Sequence, residues 1–384
     1  MSVTIAKRIT GYSVVRPDDA TKNATIQPQP ATTDVDRRLV LTEVSSPLAN
    51  SLRWASRPYD PNGHASRTYL VNSPEGKFTM HVVHADNGSP ATGYPFEVWV
   101  NDGAPRGLKA LCKSLSMDMR SLDRGWLKAK LESLFGTPGE PFDITLPGGN
   151  LVRVPSAVAA FARILYARCD DLGAFTDEKL SDTPVLDALM SKKEPKSDGV
   201  GTVGWMVPIR NTGFDDDFEL ILKEVQTPDG KIHPQSVWLS GRRYPKSLEG
   251  LAISLSFDLR VNDVQWSVLK LQQLVDLDEV NGNFWAPVPG TSKSTNYPSI
   301  VAYIATLILY RLKVLGLVDE NRNPIHATGV VALDDERRKR ASTDEAENTS
   351  STPKGLLCDS CGQYAVVMSG GCAQCTACDA SKCS

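Results

Sequence analysis

The sequence predicts an α+β chain: two tandem copies of a hairpin-plus-helices module, followed by a small cysteine-rich domain. Three observations carry this. SLSMDMR at 114–120 returns as SLSFDLR at 254–260, an offset of 140, and self-similarity at a fixed spacing marks repeated structural units. Each copy opens with stretches that alternate apolar and polar residues and continues with apolar residues at helical spacing. Finally, six of the eight cysteines fall within residues 358–384.

The repeat extends well beyond its most similar heptad. The same offset of 140 carries Leu108 onto Leu248, Leu111 onto Leu251, Asp123 onto Asp263 and Trp126 onto Trp266. FEVWVN at 96–101 answers to QSVWLS at 235–240 with one residue of slippage, and VPSAVAAFARILY at 154–166 answers to YPSIVAYIATLILY at 297–310.

The elements follow in order. Residues 1–60 are polar and dotted with proline, which predicts a loosely held arm. In the first module, 61–175, FTMHVVHA (78–85) and PFEVWVN (95–101) have the period of two and the β-branched content of hairpin strands. Leu108, Leu111, Cys112, Leu115 and Met119 then form one helical stripe, and a second helix runs from Trp126 to Leu134. Pro155 opens a last helix at its first turn, where a missing N–H costs nothing. Residues 176–203 are a charged connector. In the second module, 204–320, FELILKEV (218–225) and SVWL (236–239) are the strands. Leu248, Leu251, Ala252, Leu255 and Leu259 repeat the stripe, Trp266 to Leu274 the second helix and Pro298 the helix opening. Residues 321–355 form a linker whose part from 334 onward is too polar to fold by itself. Residues 356–384 are the tail.

Several function classes are set aside by composition. A net charge of −3 gives no global attraction to nucleic acid or to an anionic membrane. The opening MSVTIAKRITGYSVV holds no signal-peptide core, and no run approaches the ~20 apolar residues of a membrane span. The expectation is a soluble cytoplasmic protein, where clustered cysteines point to metal or redox chemistry rather than to structural disulfides.

In the tail, Cys358-x-x-Cys361 and Cys372-x-x-Cys375 flank QYAVVMS, a short β-prone stretch, with Gly362, Gly370 and Gly371 at the turns. Two such pairs suit the tetrahedral sulfur site of a zinc ribbon. Cys378 and Cys383 remain. In one reading the second metal-binding pair is Cys375-x-x-Cys378, with Cys372 or Cys383 as alternate ligands. In the other, Cys378 and Cys383 form a dithiol able to exchange with other disulfides.

The tail CDSCG…GGCAQCTACDASKCS resembles the C-terminus of adenosylcobalamin-dependent (class II) ribonucleotide reductases, whose large chains often end in a zinc ribbon and a C-x-x-x-x-C pair. The repeated module is similar to the TSCPD domain that precedes that tail. SRTYLVNSPEGKFTMHVV (66–83), PFEVWVNDGAPRGLKALCKSLSMDMR (95–120) and the Pro-Ser helix starts at 155–156 and 298–299 carry this likeness. The resemblance implies zinc on Cys358, Cys361, Cys372 and Cys375. It also implies a thiol–disulfide shuttle on Cys378 and Cys383 that reduces a catalytic disulfide and is restored by a thioredoxin-like reductant. The family's barrel, with its radical cysteine and cobalamin contacts, has no counterpart here: upstream of the tail stand only Cys112 and Cys169. The implied role is therefore an accessory chain that serves deoxyribonucleotide synthesis beside a separate catalytic chain, which alone would hold adenosylcobalamin. About 34 linker residues would span roughly 30–35 Å, enough for a tethered dithiol to sample a partner's disulfide.

Other readings compete with this one. The duplicated modules could serve as an interaction scaffold, such as a phage would encode, with the tail a metal-stapled knob. A zinc ribbon can also bind nucleic acid, but around this one Lys354 and Lys382 are balanced by Asp359 and Asp379. ERRKR (336–340) is likewise offset by neighbouring acids. His81 and His84 lie on a strand, where positions three apart take opposite faces, and His64, His233 and His326 are expected in loops. The acids of GFDDDFE (213–219) read as a solvated loop. Cys112 reads as core packing and Cys169 as structural or incidental. Trp99, Trp126, Trp238 and Trp266, recurring at matched positions, also read as core.

Overall fold

The structure, a computed structural model, describes residues 39–42, 48, 51–89, 92–188, 202–211, 213–226, 230–261, 263–280, 282–325 and 330–333, and in the tail 356–357, 364–369, 372–375 and 381–383. Strand β1 (Leu39–Thr42) comes first. The first half of the body then runs β2 (Ala65–Ser73), β3 (Gly76–Ser89), β4 (Thr92–Val100), α1 (Leu108–Met119), α2 (Arg124–Leu134), β5 (Phe142–Thr145), β6 (Leu151–Val154) and α3 (Ala157–Asp171). Two short helices follow, α4 (Asp177–Leu180) and α5 (Pro184–Ala188). The same order recurs in the second half as β7 (Gly204–Asn211), β8 (Asp216–Gln226), β9 (Ile232–Arg243), α6 (Leu248–Arg260), α7 (Val264–Val275), β10 (Phe284–Pro287), β11 (Ser294–Tyr297) and α8 (Ile300–Val314). Strand β12 (Val330–Leu333) pairs antiparallel with β1. The tail holds β13 (Leu356–Leu357), β14 (Tyr364–Ser369), β15 (Cys372–Cys375) and β16 (Ser381–Cys383). The chain is thus α+β, with small antiparallel sheets throughout.

Each half is a three-stranded meander backed by helices. Phe78, Met80 and Val82 alternate along β3 and turn one face onto Leu108, Leu111 and Leu115 of α1. Phe218, Leu220 and Leu222 of β8 do the same against Leu248, Leu251 and Leu255 of α6. The repeated serines fix this contact: Ser116 Oγ accepts from Val98 N at 3.0 Å, and Ser256 Oγ accepts from Val237 N at 2.9 Å. The strand pairs β5–β6 and β10–β11 escape the sequence reading because four-residue strands are too short to show a period. The last helices start after the prolines, not on them. Ser156 and Ser299 are the caps, accepting from Ala159 N at 3.1 Å and Ala302 N at 3.0 Å, so Pro155 and Pro298 stand one residue outside.

The two halves pack against each other through α1 and α6. Ser114 and Ser254, equivalent in the repeat, meet at the crossing with their hydroxyls 3.0 Å apart. Small residues permit the approach. A Cβ added to Gly250 would lie 2.7 Å from Val158 and 3.0 Å from Leu111, both in the other half. Gly250→Val is therefore expected to cost about 1–3 kcal/mol by overpacking. Urea denaturation would check this, and a stability unchanged from the parent would contradict the close contact.

The segments flanking the first half dock on the helix-capping aspartates. Asp123 caps α2 with one carboxylate oxygen, accepting from Trp126 N at 2.7 Å, while its other oxygen accepts from Val185 N at 2.7 Å and Leu186 N at 2.9 Å. Its equivalent, Asp263, caps α7 through Trp266 N at 3.0 Å and holds Leu48 N at 3.3 Å. So the segment preceding the first half reaches the second half through Leu48 while Ser51 and Arg53 bond to Ser121, Leu122 and Arg120 of the first, and the connector turns back onto the first half. Leu48 and Val185 enter one shared core with Met117, Trp126, Phe257, Val261 and Trp266. This corrects the loosely held arm, at least at Leu48 and from Ser51 onward; the charged connector is docked at Val185 and Leu186. The linker also contains β12; its residues 334–355 and His326 lie outside the described residues.

Other expectations need correction. Trp126 and Trp266 are fully buried, but Trp99 and Trp238 are 50% and 53% exposed on the outer faces of their sheets. An identical repeat position fixes the face of a strand, not whether anything covers that face. His233 is buried on β9 rather than in a loop. The acids at 215–217 are not free in solvent: Arg243 takes Asp215 at 2.6 Å, Arg106 takes Asp216 at 2.6 Å and Arg210 takes Asp217 at 3.1 Å. The Arg106–Asp216 pair joins the halves.

The cysteine tail and the buried charge cluster as candidate sites

The tail forms a four-stranded antiparallel sheet in the order β13-β14-β15-β16. Leu357 stands opposite Tyr364, Val366 opposite Cys375, Ser369 opposite Cys372, and Cys372 opposite Cys383. By chain order, Cys358 and Cys361 belong to the connection from β13 to β14, and Cys378 to that from β15 to β16; these three lie outside the described residues. Strand direction puts Leu357, Tyr364, Cys375 and Ser381 toward one end of the sheet. Cys372 and Cys383 are level with each other toward the opposite end.

The body's cysteines are of another kind. Cys112 on α1 and Cys169 on α3 are buried and free. Burial pushes the Cys169 thiol up to about 12 despite the nearby arginines Arg124 and Arg168, and pushes the Cys112 thiol up as well. A thiol this hard to ionise supplies almost no thiolate, the form that attacks disulfides and binds metal. The sequence reading of Cys112 as a packing group agrees with its buried position.

A second cluster was not singled out from the sequence. Asp118 and Lys130 of the first half meet their repeat equivalents, Asp258 and Lys270, where the halves join. Lys130 Nζ lies 3.0 Å from Asp118 and 2.7 Å from Asp258, while Lys270 Nζ lies 2.7 Å from Asp118 and 3.0 Å from Asp258. None of the four is more than 1% exposed. The indole N–H groups of Trp126 and Trp266 donate to Asp118 at 3.0 Å and Asp258 at 2.9 Å, and Lys270 also reaches Ser114 at 3.2 Å. Burial raises the Asp118 carboxyl, but the two ammonium groups more than offset this and hold it below its ordinary value. The carboxylates likewise overcome burial at Lys130 and hold it above its ordinary value. At Lys270 burial, with repulsion from Lys130, wins and pulls the ammonium down to about 8. The signal was present in the repeat: a lysine follows each SLSxD aspartate by twelve residues, on helices otherwise apolar inward. With two charges of each sign, sealed from solvent, the cluster is a joint rather than a reaction centre.

The described histidines form no site. His81 pairs with Thr68 at 2.9 Å and stacks on Trp99 with ring centres 4.8 Å apart, whereas His84 is buried elsewhere on β3. Among the described residues no cluster of side chains able to hold a metal occurs. A groove of about 470 Å³ between β7, the β10–β11 turn and α8 is lined by Trp205, Val207, Pro287, Tyr303 and Tyr310, with Arg210 its only charged group. It offers no acid–base pair. No helix among the described residues is long and apolar enough to cross a membrane. Comparison with family models, with curated proteins and with solved structures finds no match.

Proposed function

We propose that this chain is an accessory component of an adenosylcobalamin-dependent ribonucleotide reductase. In this reading the paired TSCPD-like modules form the docking body, and the zinc-organised tail passes reducing equivalents to a separate catalytic chain by thiol–disulfide exchange. One observation carries the reading: the body's two thiols are sealed and hard to ionise, so exchange-capable sulfur is confined to the tail. The repeated order of elements supports the duplication.

The tail suits a zinc ribbon in its donors and its topology. Six thiols lie within 358–384, and zinc takes thiolates in fours. A sheet of fifteen strand residues in four short strands has little core of its own, so the bound metal would supply most of its folding free energy. Four sulfurs then hold the ion. Two remain to carry electrons from a thioredoxin-like reductant to the catalytic disulfide.

The test uses a catalytic chain of this reductase class that lacks such a tail, together with this protein and thioredoxin. The Cys383→Ser variant is expected to reduce thioredoxin-driven turnover at least 100-fold. A small dithiol that reaches the catalytic disulfide directly should restore turnover. If the catalytic chain neither binds this protein nor depends on it, the proposal fails.

A further inference from the structure

We infer that the electron-carrying pair is Cys372 with Cys383, joined across β15 and β16, rather than Cys378 with Cys383. The inference rests on the proposed function and concerns which of the tail's sulfurs perform it.

The register supplies the first argument. Cys372 and Cys383 are directly opposed Cα partners on adjacent antiparallel strands. Opposed residues in such a pair stand about 4.5–5.5 Å apart at Cα, inside the roughly 4.4–6.8 Å that a disulfide requires. Cys383 meets this condition because β16 is extended from Ser381 to Cys383. The strand carries it away from the connection that holds Cys378 and toward the end of the sheet where Cys372 stands.

The second argument comes from the metal. Cys372 and Cys375 are the first and last residues of β15, so their Cα atoms are about 10 Å apart at ~3.3 Å per residue. Two cysteines on one zinc, with Zn–S near ~2.3 Å, need a closer approach than an extended strand gives them. A Cys-x-x-Cys pair shares an ion when a turn folds it, and here the residues from 372 to 375 are strand. Cys375 instead adjoins the connection containing Cys378. Cys375 stands toward the same end of the sheet as Leu357 and Tyr364, between which Cys358 and Cys361 fall in the chain. The four sulfurs left for the metal are then Cys358, Cys361, Cys375 and Cys378.

The chemistry balances as an ordinary exchange. In the reduced tail, one thiolate of the pair attacks a sulfur of the acceptor protein's disulfide; that S–S bond breaks and the first acceptor thiolate leaves. The second thiolate of the pair attacks the mixed disulfide, forming the Cys372–Cys383 bond and releasing the second acceptor thiolate. Two electrons reach the acceptor, and the pair's two protons reach it through solvent. A dithiol protein reductant reverses these steps on the tail.

The experiment takes the full-length, zinc-loaded protein, oxidises it with glutathione disulfide, blocks free thiols and maps linked peptides. Metal content is measured in parallel. Cleavage after Lys382 releases Cys383 from the peptide 355–382, which holds Cys358, Cys361, Cys372, Cys375 and Cys378. Fragmentation of the linked product then identifies the partner. The expected result is a Cys372–Cys383 link that disappears completely in Cys372→Ser and Cys383→Ser, while both variants keep the zinc content of the parent. Cys378→Ser is expected to keep the link and lose zinc. A Cys378–Cys383 link, or loss of zinc from Cys372→Ser, would overturn this inference and leave the proposed function standing. The absence of any reversible disulfide in the parent protein would overturn both.

Discussion

Replacing Lys270 with methionine is expected to destabilise the body by about 3–5 kcal/mol, because removing one member of a buried ion cluster strands an uncompensated charge. Asp118, Asp258 and Lys130 would remain sealed with a net charge of −1, and no water reaches them to share it. The double variant Lys270→Met/Asp258→Asn restores neutrality and keeps an acceptor for the Trp266 indole, which donates to Asp258 at 2.9 Å. It should recover part of the loss, giving a coupling energy of about 1–3 kcal/mol. Urea denaturation of the parent, both single variants and the double variant closes the cycle. Additive effects, or a single-variant cost under about 1 kcal/mol, would show that the four groups do not act as a unit. Acid supplies a further check with a definite sign. Asp118 is held below its ordinary 3.8, so its contribution is complete above that value and is lost as pH falls through the folded one. Asp118→Asn should flatten this acid limb.

If the tail holds zinc as proposed, stripping the metal is expected to unfold it completely while leaving the body untouched. Apparent zinc-binding energies of about 10–16 kcal/mol in small sulfur sites are folding energies for the segment that holds the ion. The seven tryptophans all lie between Trp54 and Trp285, so indole fluorescence reports on the body alone. A strong chelator should abolish amide protection at 364–369 and 372–375 and leave the tryptophan spectrum unchanged. Thiol counting without denaturant should then find the six tail cysteines reactive, with Cys112 and Cys169 still silent. Protection that survives complete metal removal would mean that the sheet holds itself, and the zinc-organised tail would have to be abandoned.

The uneven legibility of this chain has a physical origin. Leu108, Leu111 and Leu115 could be placed on one face because burial of a helix imposes a spacing that the residues display directly. Strands β3 and β8 were visible for the same reason, through their period of two. The tryptophans show where such reasoning stops. Trp126 and Trp99 look equally like core residues, yet only the first is enclosed, because enclosure depends on a second element packed over the face. Asp123 and Asp263 were recognisable as matched residues but not as clamps for Val185 and Leu48, since those contacts join positions 62 and 215 residues apart.

Sequence alone determined the α+β class, the repeat, the two helical stripes and the concentration of sulfur at the end of the chain, all of which are local patterns of residue type and spacing. Tertiary structure decided how the copies face each other, that Asp118, Lys130, Asp258 and Lys270 share one sealed cluster, and that Cys372 stands across from Cys383. Those facts depend on which surfaces meet. Spacing along a chain fixes what each element offers, while packing and strand register fix what it meets.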